Sequence, residues 1–293
     1  MATISGVITA MVTPFDERGA VDIDAGRELA RYLIEHGSHG VVVNGTTGES
    51  PTTDDQEKLE LLRAVIDEIG GEATVIAGSG SNDTAHSVEL TAAVTAAGAD
   101  AVLVVTPYYN KPNPAGIRAH FGAVAAATEL PLILYNIPSR SVVNMEPELM
   151  AQMAAEIQNI VAVKQANSEQ LEPIEGLDLL AGNDDVFLDC LAMGGAGGIL
   201  VASHLVGPQM REVFDAVAGD ELDRARSIDS GLREVYDVCG VTTNPIPVKT
   251  ALGMLSVTSA RMRLPLVAAD ESQEAAIRAA LEGSGLLATS AST

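Results

Sequence analysis

Eight short apolar runs, rich in Val and Ile, alternate along this chain with longer Ala-rich amphipathic segments. Runs such as Val41-Val42-Val43 are apolar at every position, which is typical of parallel strands covered by helices on both faces. Strands that alternate with helices predict a parallel α/β sheet. The predicted strands cover residues 6–12, 40–44, 74–78, 100–106, 131–136, 160–164, 177–181 and 198–202. Eight strands favour a closed (β/α)8 TIM barrel, and an open doubly wound sheet is the alternative.

Helix signals agree with this order of elements. Helix start signals are present at Thr53-Asp54-Asp55 and at Asn82-Asp83-Thr84, and the two segments that follow end at Gly70-Gly71 and Gly98. Between residues 164 and 177 there is room only for a turn or a stunted helix at 168–175. After the eighth strand, further helices are predicted at residues 209–218, 221–238, 245–257 and 271–283.

The length of the chain fits one barrel with an appendage. A TIM barrel needs roughly 250 residues, and this chain has 293, of which 47% are apolar. The pattern therefore predicts a (β/α)8 barrel in residues 1–218 and a C-terminal helical region packed on it in residues 219–293.

The charge balance narrows the possible partners. With 17 basic and 40 acidic residues, the net charge is -23, which argues against a nucleic-acid partner. Such a surface keeps a protein soluble but repels itself, a combination used by proteins that work in concentrated salt. Salt adaptation is the expectation, and ordinary acidity is the alternative. The absence of a long apolar run or a signal-type N-terminus predicts a cytoplasmic protein with no membrane partner.

Neither a metal nor a cofactor is predicted. Cys190 and Cys239 are far apart and are interpreted as small buried side chains. His36 and His39 have no carboxylate or Cys neighbour that would complete a zinc site. The glycine-rich stretch at residues 78–83 lacks the last glycine of a dinucleotide fingerprint.

Lys164 follows the apolar residues 160–163 directly, at the end of a strand where barrel enzymes place their active sites. Burial disfavours the ammonium form of a lysine, and a neutral amine attacks carbonyl groups. The alternative is an ammonium that reaches solvent or pairs with a carboxylate. Lys58, Lys111 and Lys249, the other three lysines, are not expected in such a setting.

Polar residues also end other strands. The turn Gly45-Thr46-Thr47-Gly48 has hydroxyls and amides suited to a carboxylate, although a turn that merely caps a helix would look similar. Tyr135 is suited to proton transfer and Arg140 to a bidentate contact with a carboxylate. The alternative for Tyr135 is a ring that merely packs at the barrel rim, and the alternative for Arg140 is a surface ion pair.

Taken together, several motifs closely resemble the dihydrodipicolinate synthase family over almost the whole chain. These are residues 45–50 (GTTGES), 106–112 (TPYYNKP), 135–140 (YNIPSR), 163–164 (VK) and 244–249 (NPIPVK). The resemblance implies that Lys164 forms an imine with pyruvate. The derived enamine would attack aspartate semialdehyde to give 4-hydroxy-tetrahydrodipicolinate, the precursor of diaminopimelate and lysine. No cofactor is implied.

The resemblance also implies a role for each matching residue. Tyr135 would relay protons together with Thr46 and with Tyr109, which would reach into the site of a neighbouring subunit. Thr47 would hold the carboxylate of pyruvate, and Arg140 that of the semialdehyde. The implied substrate-binding positions are Gly45, Thr47, Arg140, Gly182 and Ile199. Homotetramers are common in this family.

The sequence departs from the family pattern in three respects. Gln165-Ala166-Asn167 replaces a segment that often has an acidic residue and a glycine, Asn183 stands where Asp is usual, and the sixth helix is short.

Related barrels include N-acetylneuraminate-type and 2-keto-3-deoxygluconate-type sugar-acid aldolases, which are the second hypothesis for the function. Arg140 favours the synthase, because a guanidinium suits a short carboxylate-bearing aldehyde. A non-catalytic 2-oxo-acid sensor is the third hypothesis.

Family members that are inhibited by lysine bind it beside the turn after the second strand. The matching positions here are Ser50, Pro51, Asp55, Lys58, Asn82, His86 and Tyr108. Sensitive members have an acidic residue at position 86 and a histidine at position 58. Lys58 would bring a like charge toward the ligand, which predicts weak or absent inhibition.

Overall fold

A computed structural model describes residues 4–288 and shows a closed barrel of eight parallel strands in sequence order. The open-sheet alternative is wrong, because β8 pairs with β1 and closes the sheet. The strands are β1 (Gly6–Ala10), β2 (Gly40–Val43), β3 (Thr74–Gly78), β4 (Ala101–Val105), β5 (Leu132–Asn136), β6 (Ile160–Gln165), β7 (Asp178–Ala181) and β8 (Gly197–Leu200). All eight predicted strands are present, with ends that differ by at most two residues.

Helices cover the outside of the barrel, and more of them follow the last strand. Within the described residues they are α1 (Ile23–Glu35), α2 (Asp55–Ile69), α3 (Thr84–Ala97), α4 (Pro114–Ala125), α5 (Pro138–Ser141), α6 (Pro147–Glu156), α7 (Phe187–Ala192), α8 (Ser203–Ala218), α9 (Leu222–Ser230), α10 (Arg233–Cys239), α11 (Ile246–Met254) and α12 (Glu271–Gly283). Both predicted start signals are confirmed, and the cap residues are Asp54 and Asp83, whose side chains accept hydrogen bonds from backbone N–H groups of the helices that follow. None of the helices in residues 4–288 has the length and apolar character needed to span a lipid bilayer.

Two predicted helical segments differ markedly from the structure. The segment predicted at 209–218 begins at Ser203 and is kinked at Val206, whose φ is -124°, two residues before Pro208. The helix predicted at 221–238 is two helices, α9 and α10, with Gly231 at the end of the first. Between β6 and β7 the described chain has only a 3₁₀ turn, Ser168–Gln170, as the short spacing predicted.

Alternate residues of each strand face opposite sides of the barrel wall. In β5, Ile133 and Tyr135 belong to an inner apolar cluster, whereas Leu132 and Leu134 pack against the outer helices. The outer cluster continues into the C-terminal region through Leu252 of α11 and other residues of α10 and α12. The predicted boundary between residues 218 and 219 lies at the end of α8.

The pairing of β5 with β6 shifts by one residue. Leu132 pairs with Ile160 but Ile133 pairs with Ala162, so one extra residue lies in β6. As a result, Tyr135 pairs with Lys164; without the shift it would pair with Val163. A bulge of this kind redirects the side chains that follow it, and here it sets a lysine beside a tyrosine at the end of the barrel.

Candidate active site

A cavity of about 440 Å³ lies at the carboxyl ends of the strands. It is bordered by six of the nine site residues predicted from the sequence, namely Thr46, Thr47, Tyr135, Arg140, Lys164 and Gly182. This is the end of a TIM barrel that carries catalytic residues.

Lys164 ends the inner face of β6 and is 5% exposed. Its Nζ lies 4.3 Å from the centroid of the Tyr135 ring. Within residues 4–288 its amine makes no ion pair, whereas those of Lys58 and Lys249 each contact a carboxylate. An amine that faces a cavity and is not held by a carboxylate is available to a carbonyl substrate.

Two other lysines are as buried as Lys164, although they lie on helices and not at the end of a strand. Lys58 is 5% exposed and Lys249 is fully buried. Each of these two ammonium groups has a partner. Lys249 contacts Glu49, which is distant in the sequence. Lys58 contacts Asp55 and the carbonyl of Thr53, which lie just before it. Only Lys164 among these three borders the cavity that contains Tyr135 and Thr47.

The turn after β2 presents two threonines to this cavity. Thr47 is buried, and its Oγ1 accepts a hydrogen bond of 2.9 Å from Nδ2 of Asn244. A Cβ added at Gly48 would lie 3.2 Å from the carbonyl oxygen of Met11, so this position has little room for a side chain. Asn44 and Glu49 at the two ends of the turn have the left-handed φ values, 62° and 54°.

Asn244 connects the two residues that were predicted to hold carboxylates. Its side chain donates to Thr47, and its backbone oxygen accepts a 3.0 Å hydrogen bond from the Arg140 guanidinium. Arg140 itself is exposed on α5 and borders the cavity. The sequence offered one signal for this contact, the segment at residues 244–249, but no contact of Asn244 was predicted from it.

The remaining three predicted residues do not border this cavity. Tyr109 is 87% exposed with a φ of 70°. Ile199 is fully buried in the inner cluster of the barrel. The last of the nine, Gly45, borders a second cavity described below. Gly182 borders the first, and a Cβ there would lie 2.7 Å from the Gln165 carbonyl oxygen, so the position requires glycine.

Sequence reasoning missed three titratable residues that border the cavity, Asp184, Tyr236 and Cys239. Asp184 accepts hydrogen bonds from the N–H groups of Val201 and Ala202. Burial of its carboxyl group raises the pKa of Asp184 to about 6. The two hydrogen bonds and the charge of Lys164 act in the opposite direction and limit this rise. Burial also raises the pKa values of the Cys239 thiol and the Tyr236 phenol, which leaves both groups neutral. Burial thus disfavours the thiolate form of Cys239.

A second cavity of about 670 Å³ lies beside the first and shares Thr46, Tyr135 and Arg140 with it. All seven positions matched to the lysine site border this cavity, namely Ser50, Pro51, Asp55, Lys58, Asn82, His86 and Tyr108. Asp55 contacts the His86 ring at 2.8 Å and the Lys58 amine at 3.3 Å. Burial favours the neutral acid, but the His86 hydrogen bond and the Lys58 charge together lower the pKa of Asp55.

Comparison with known proteins decides the family. The model of the dihydrodipicolinate synthetase family matches residues 3–284. The chain belongs to this family. It is 45% identical to 4-hydroxy-tetrahydrodipicolinate synthase of Desulforudis audaxviator over 96% of this chain and 98% of that one. It is 46% identical to the synthase of Symbiobacterium thermophilum over 98% of this chain and 100% of that one.

Solved structures of the dihydrodipicolinate synthetase family have the same fold. The enzyme of Cyanidioschyzon merolae with lysine bound superposes with a TM-score of 0.93 and is 40% identical, with 97% of this chain and 99% of that chain covered. A monomeric dihydrodipicolinate synthase variant superposes with a TM-score of 0.93 at 36% identity, with 97% of each chain covered.

The departures from the family pattern lie in a hydrogen-bonded cluster beside the cavity. Gln165 is fully buried; its Oε1 accepts from Asn136 and its Nε2 donates to the carbonyl of Gln170. Asn183 borders the cavity and donates to the hydroxyl of Ser168. The polar groups of Gln165 and Asn183 therefore have partners in β5 and in the 3₁₀ turn between β6 and β7.

Proposed function

We infer that this chain is a 4-hydroxy-tetrahydrodipicolinate synthase, a carbon–carbon lyase that condenses pyruvate with aspartate semialdehyde through a lysine Schiff base. The observation that carries this inference is the Lys164 amine, which borders a cavity beside Tyr135 without an ion-pair partner among the described residues. Membership of the dihydrodipicolinate synthetase family assigns the reaction class.

The proposed reaction begins with attack of the Lys164 amine on the carbonyl carbon of pyruvate. Loss of water gives an imine, and removal of a methyl proton gives an enamine whose carbon attacks the aldehyde. The amine of the semialdehyde then attacks the imine carbon, which closes the ring and releases the Lys164 amine. A group that moves protons must stand within hydrogen-bond reach of the reacting atoms. Tyr135 neighbours Lys164 and is the proposed proton relay, with Thr46 next to it in the cavity wall.

Two groups are proposed to hold the carboxylates of the substrates. Thr47 would bind the pyruvate carboxylate with its hydroxyl and its backbone N–H. Arg140 would bind the semialdehyde carboxylate with its guanidinium, whose planar donors match a carboxylate. Both border the same cavity as Lys164, which supports this assignment. Gly45, Gly182 and Ile199 remain proposed binding positions.

A substrate panel tests the proposed function against sugar-acid aldolases. We expect kcat/KM to be higher for aspartate semialdehyde than for sugar aldehydes by about tenfold or more, because a hydrogen bond to a charged group contributes about 1.5 kcal/mol or more. The measurement is pyruvate-dependent turnover of each aldehyde by the purified protein. Faster turnover of a sugar aldehyde would reverse the ranking, and no turnover of any would favour the sensor.

Tyr109 supports an assembly of more than one chain. Its ring is 87% exposed in the single chain and does not border the cavity, so it would act only in the site of a neighbouring subunit. We propose a homotetramer in the cytoplasm. The monomeric variant among the related structures shows that the fold itself does not require a partner.

We expect lysine to inhibit this enzyme weakly or not at all. Lys58 and His86 each contact one carboxylate oxygen of Asp55, so the negative charge that would attract a ligand ammonium is already partly compensated. The Lys58 charge also opposes a cationic ligand. The measurement is an inhibition curve at saturating pyruvate, where half-inhibition by sub-millimolar lysine would contradict the prediction. The double variant Lys58→His/His86→Glu should gain inhibition.

Activity and melting temperature should rise together as KCl increases from dilute to molar concentration. Screening weakens repulsion among 40 acidic side chains, which greatly outnumber the 17 basic ones. Activity assays and thermal unfolding over the same KCl series measure this. A flat response in both would indicate ordinary acidity instead of adaptation to salt.

A further inference from the structure

The Lys249 side chain ends in the interior of the protein and not in the catalytic cavity. Lys249 lies on α11 and is 0% exposed. Its Nζ donates to Oε1 of Glu49 at 2.7 Å and to the carbonyl of Thr13 at 2.9 Å, and it lies 4.3 Å from the centroid of the Phe15 ring. Burial lowers the pKa of Lys249, and its contact with Glu49 opposes this shift. A fully buried ammonium group is tolerated only when a partner such as Glu49 compensates its charge.

The partner, Glu49, belongs to the turn that carries Thr46 and Thr47. It is 2% exposed, and its Oε2 accepts a 3.0 Å hydrogen bond from the backbone N–H of Arg263. Both carboxylate oxygens are therefore bound by groups from the C-terminal region, 200 residues or more along the chain. The backbone N–H of Glu49 in turn donates to the carbonyl of Thr46 at 3.1 Å.

The conformation of Glu49 needs such support. Its φ of 54° lies in the left-handed region, which is unfavourable for a residue that has a side chain. The same lysine also binds Thr13, whose hydroxyl donates to the carbonyl of Gly48 at 2.7 Å. One ammonium group thus contacts two residues, Glu49 and Thr13, that fix the second half of the turn.

We infer that Glu49 and Lys249 are positioning residues for the 2-oxo acid, because their buried ion pair holds the turn that directs Thr46 and Thr47 into the cavity of Lys164. This inference rests on the proposed role of Thr47 in binding the pyruvate carboxylate. A purely stabilising role is a poor explanation of the pair, since buried ion pairs are commonly replaced by neutral residues of similar volume without loss of stability.

The test is the double variant Glu49→Gln/Lys249→Met, which removes both buried charges and keeps the side-chain volumes similar. Borohydride trapping of pyruvate on Lys164, followed at increasing pyruvate, gives the apparent pyruvate affinity. We expect that affinity to fall by about tenfold or more, while the KM for aspartate semialdehyde stays within about threefold of the parent value. Phe121→Leu, a core change on α4, is the control for lost stability.

Each outcome decides the inference. A double variant with the parent's pyruvate affinity would overturn it, as would an equal loss in Phe121→Leu at the same melting temperature. If the double variant does not fold, Glu49→Asp carries the measurement, because it keeps the buried negative charge for Lys249 and shortens the side chain that links the turn to that lysine. The parent protein separates the two proposals, since its failure to trap pyruvate would reject the proposed function itself.

Discussion

Replacing Lys164 with Ala should lower the rate of condensation by several orders of magnitude, because it removes the nucleophile that divides the reaction into two easier steps. The other groups that border the cavity would remain, but none of them supplies a free amine. Turnover of pyruvate and aspartate semialdehyde by the purified variant measures the loss. A variant that kept most of its activity would contradict a Schiff-base mechanism on this residue.

Borohydride reduction identifies the attachment site independently of the rate. The chain has four lysines, Lys58, Lys111, Lys164 and Lys249, so peptide mapping after reduction with pyruvate has few alternatives to distinguish. We expect the adduct on Lys164 alone. Lys111→Ala is the matched control, because Lys111 is exposed and should affect neither trapping nor turnover. An adduct on Lys58 or Lys249 would overturn the assignment.

The second large effect is expected for Arg140→Ala. Loss of a charge-assisted contact with the semialdehyde carboxylate costs about 1.5 to 3 kcal/mol, or roughly 10- to 150-fold in kcat/KM. The KM for aspartate semialdehyde should rise and turnover should fall. Formation of the imine with pyruvate should change far less, because the guanidinium reaches Thr47 only through Asn244. Steady-state kinetics with each substrate varied separately provide the measurement.

Arg140→Lys distinguishes charge from geometry. A lysine keeps the positive charge but has no planar pair of donors, so it should recover only part of the lost activity. Arg118→Ala is the surface control, because Arg118 is exposed on α4 and forms an ion pair with Glu156 away from the cavity. If imine formation with pyruvate fell as much as the aldehyde step, Arg140 would have a different role.

Periodicity was sufficient to predict the barrel. Strands buried on both faces are apolar throughout, and the caps at Asp54 and Asp83 mark where helices begin. The predictions failed where the chain changes direction within a polar or small-residue segment. Gly231 separates two helices although no proline lies there to mark the end of the first. The kink at Val206 lies two residues before Pro208.

The site was predicted in part, since its residues end strands and strand ends meet in a barrel. What the sequence could not provide is pairing over long distances. The burial of Lys249 is acceptable only because Glu49, 200 positions earlier, lies beside it. Likewise, nothing in residues 160–164 signals the extra residue in β6 that pairs Lys164 with Tyr135. Both features depend on contacts between elements and not on local composition.

The double contact of Asn244 has a consequence for the order and energetics of substrate binding. One residue donates to Thr47 through its side chain and accepts from Arg140 through its backbone. If the first anion alters this bridge, it alters the free energy with which the second is bound, and linkage requires the effect to be reciprocal. The two carboxylate subsites then form one cooperative unit, so that the affinity for each anion depends on whether the other is present.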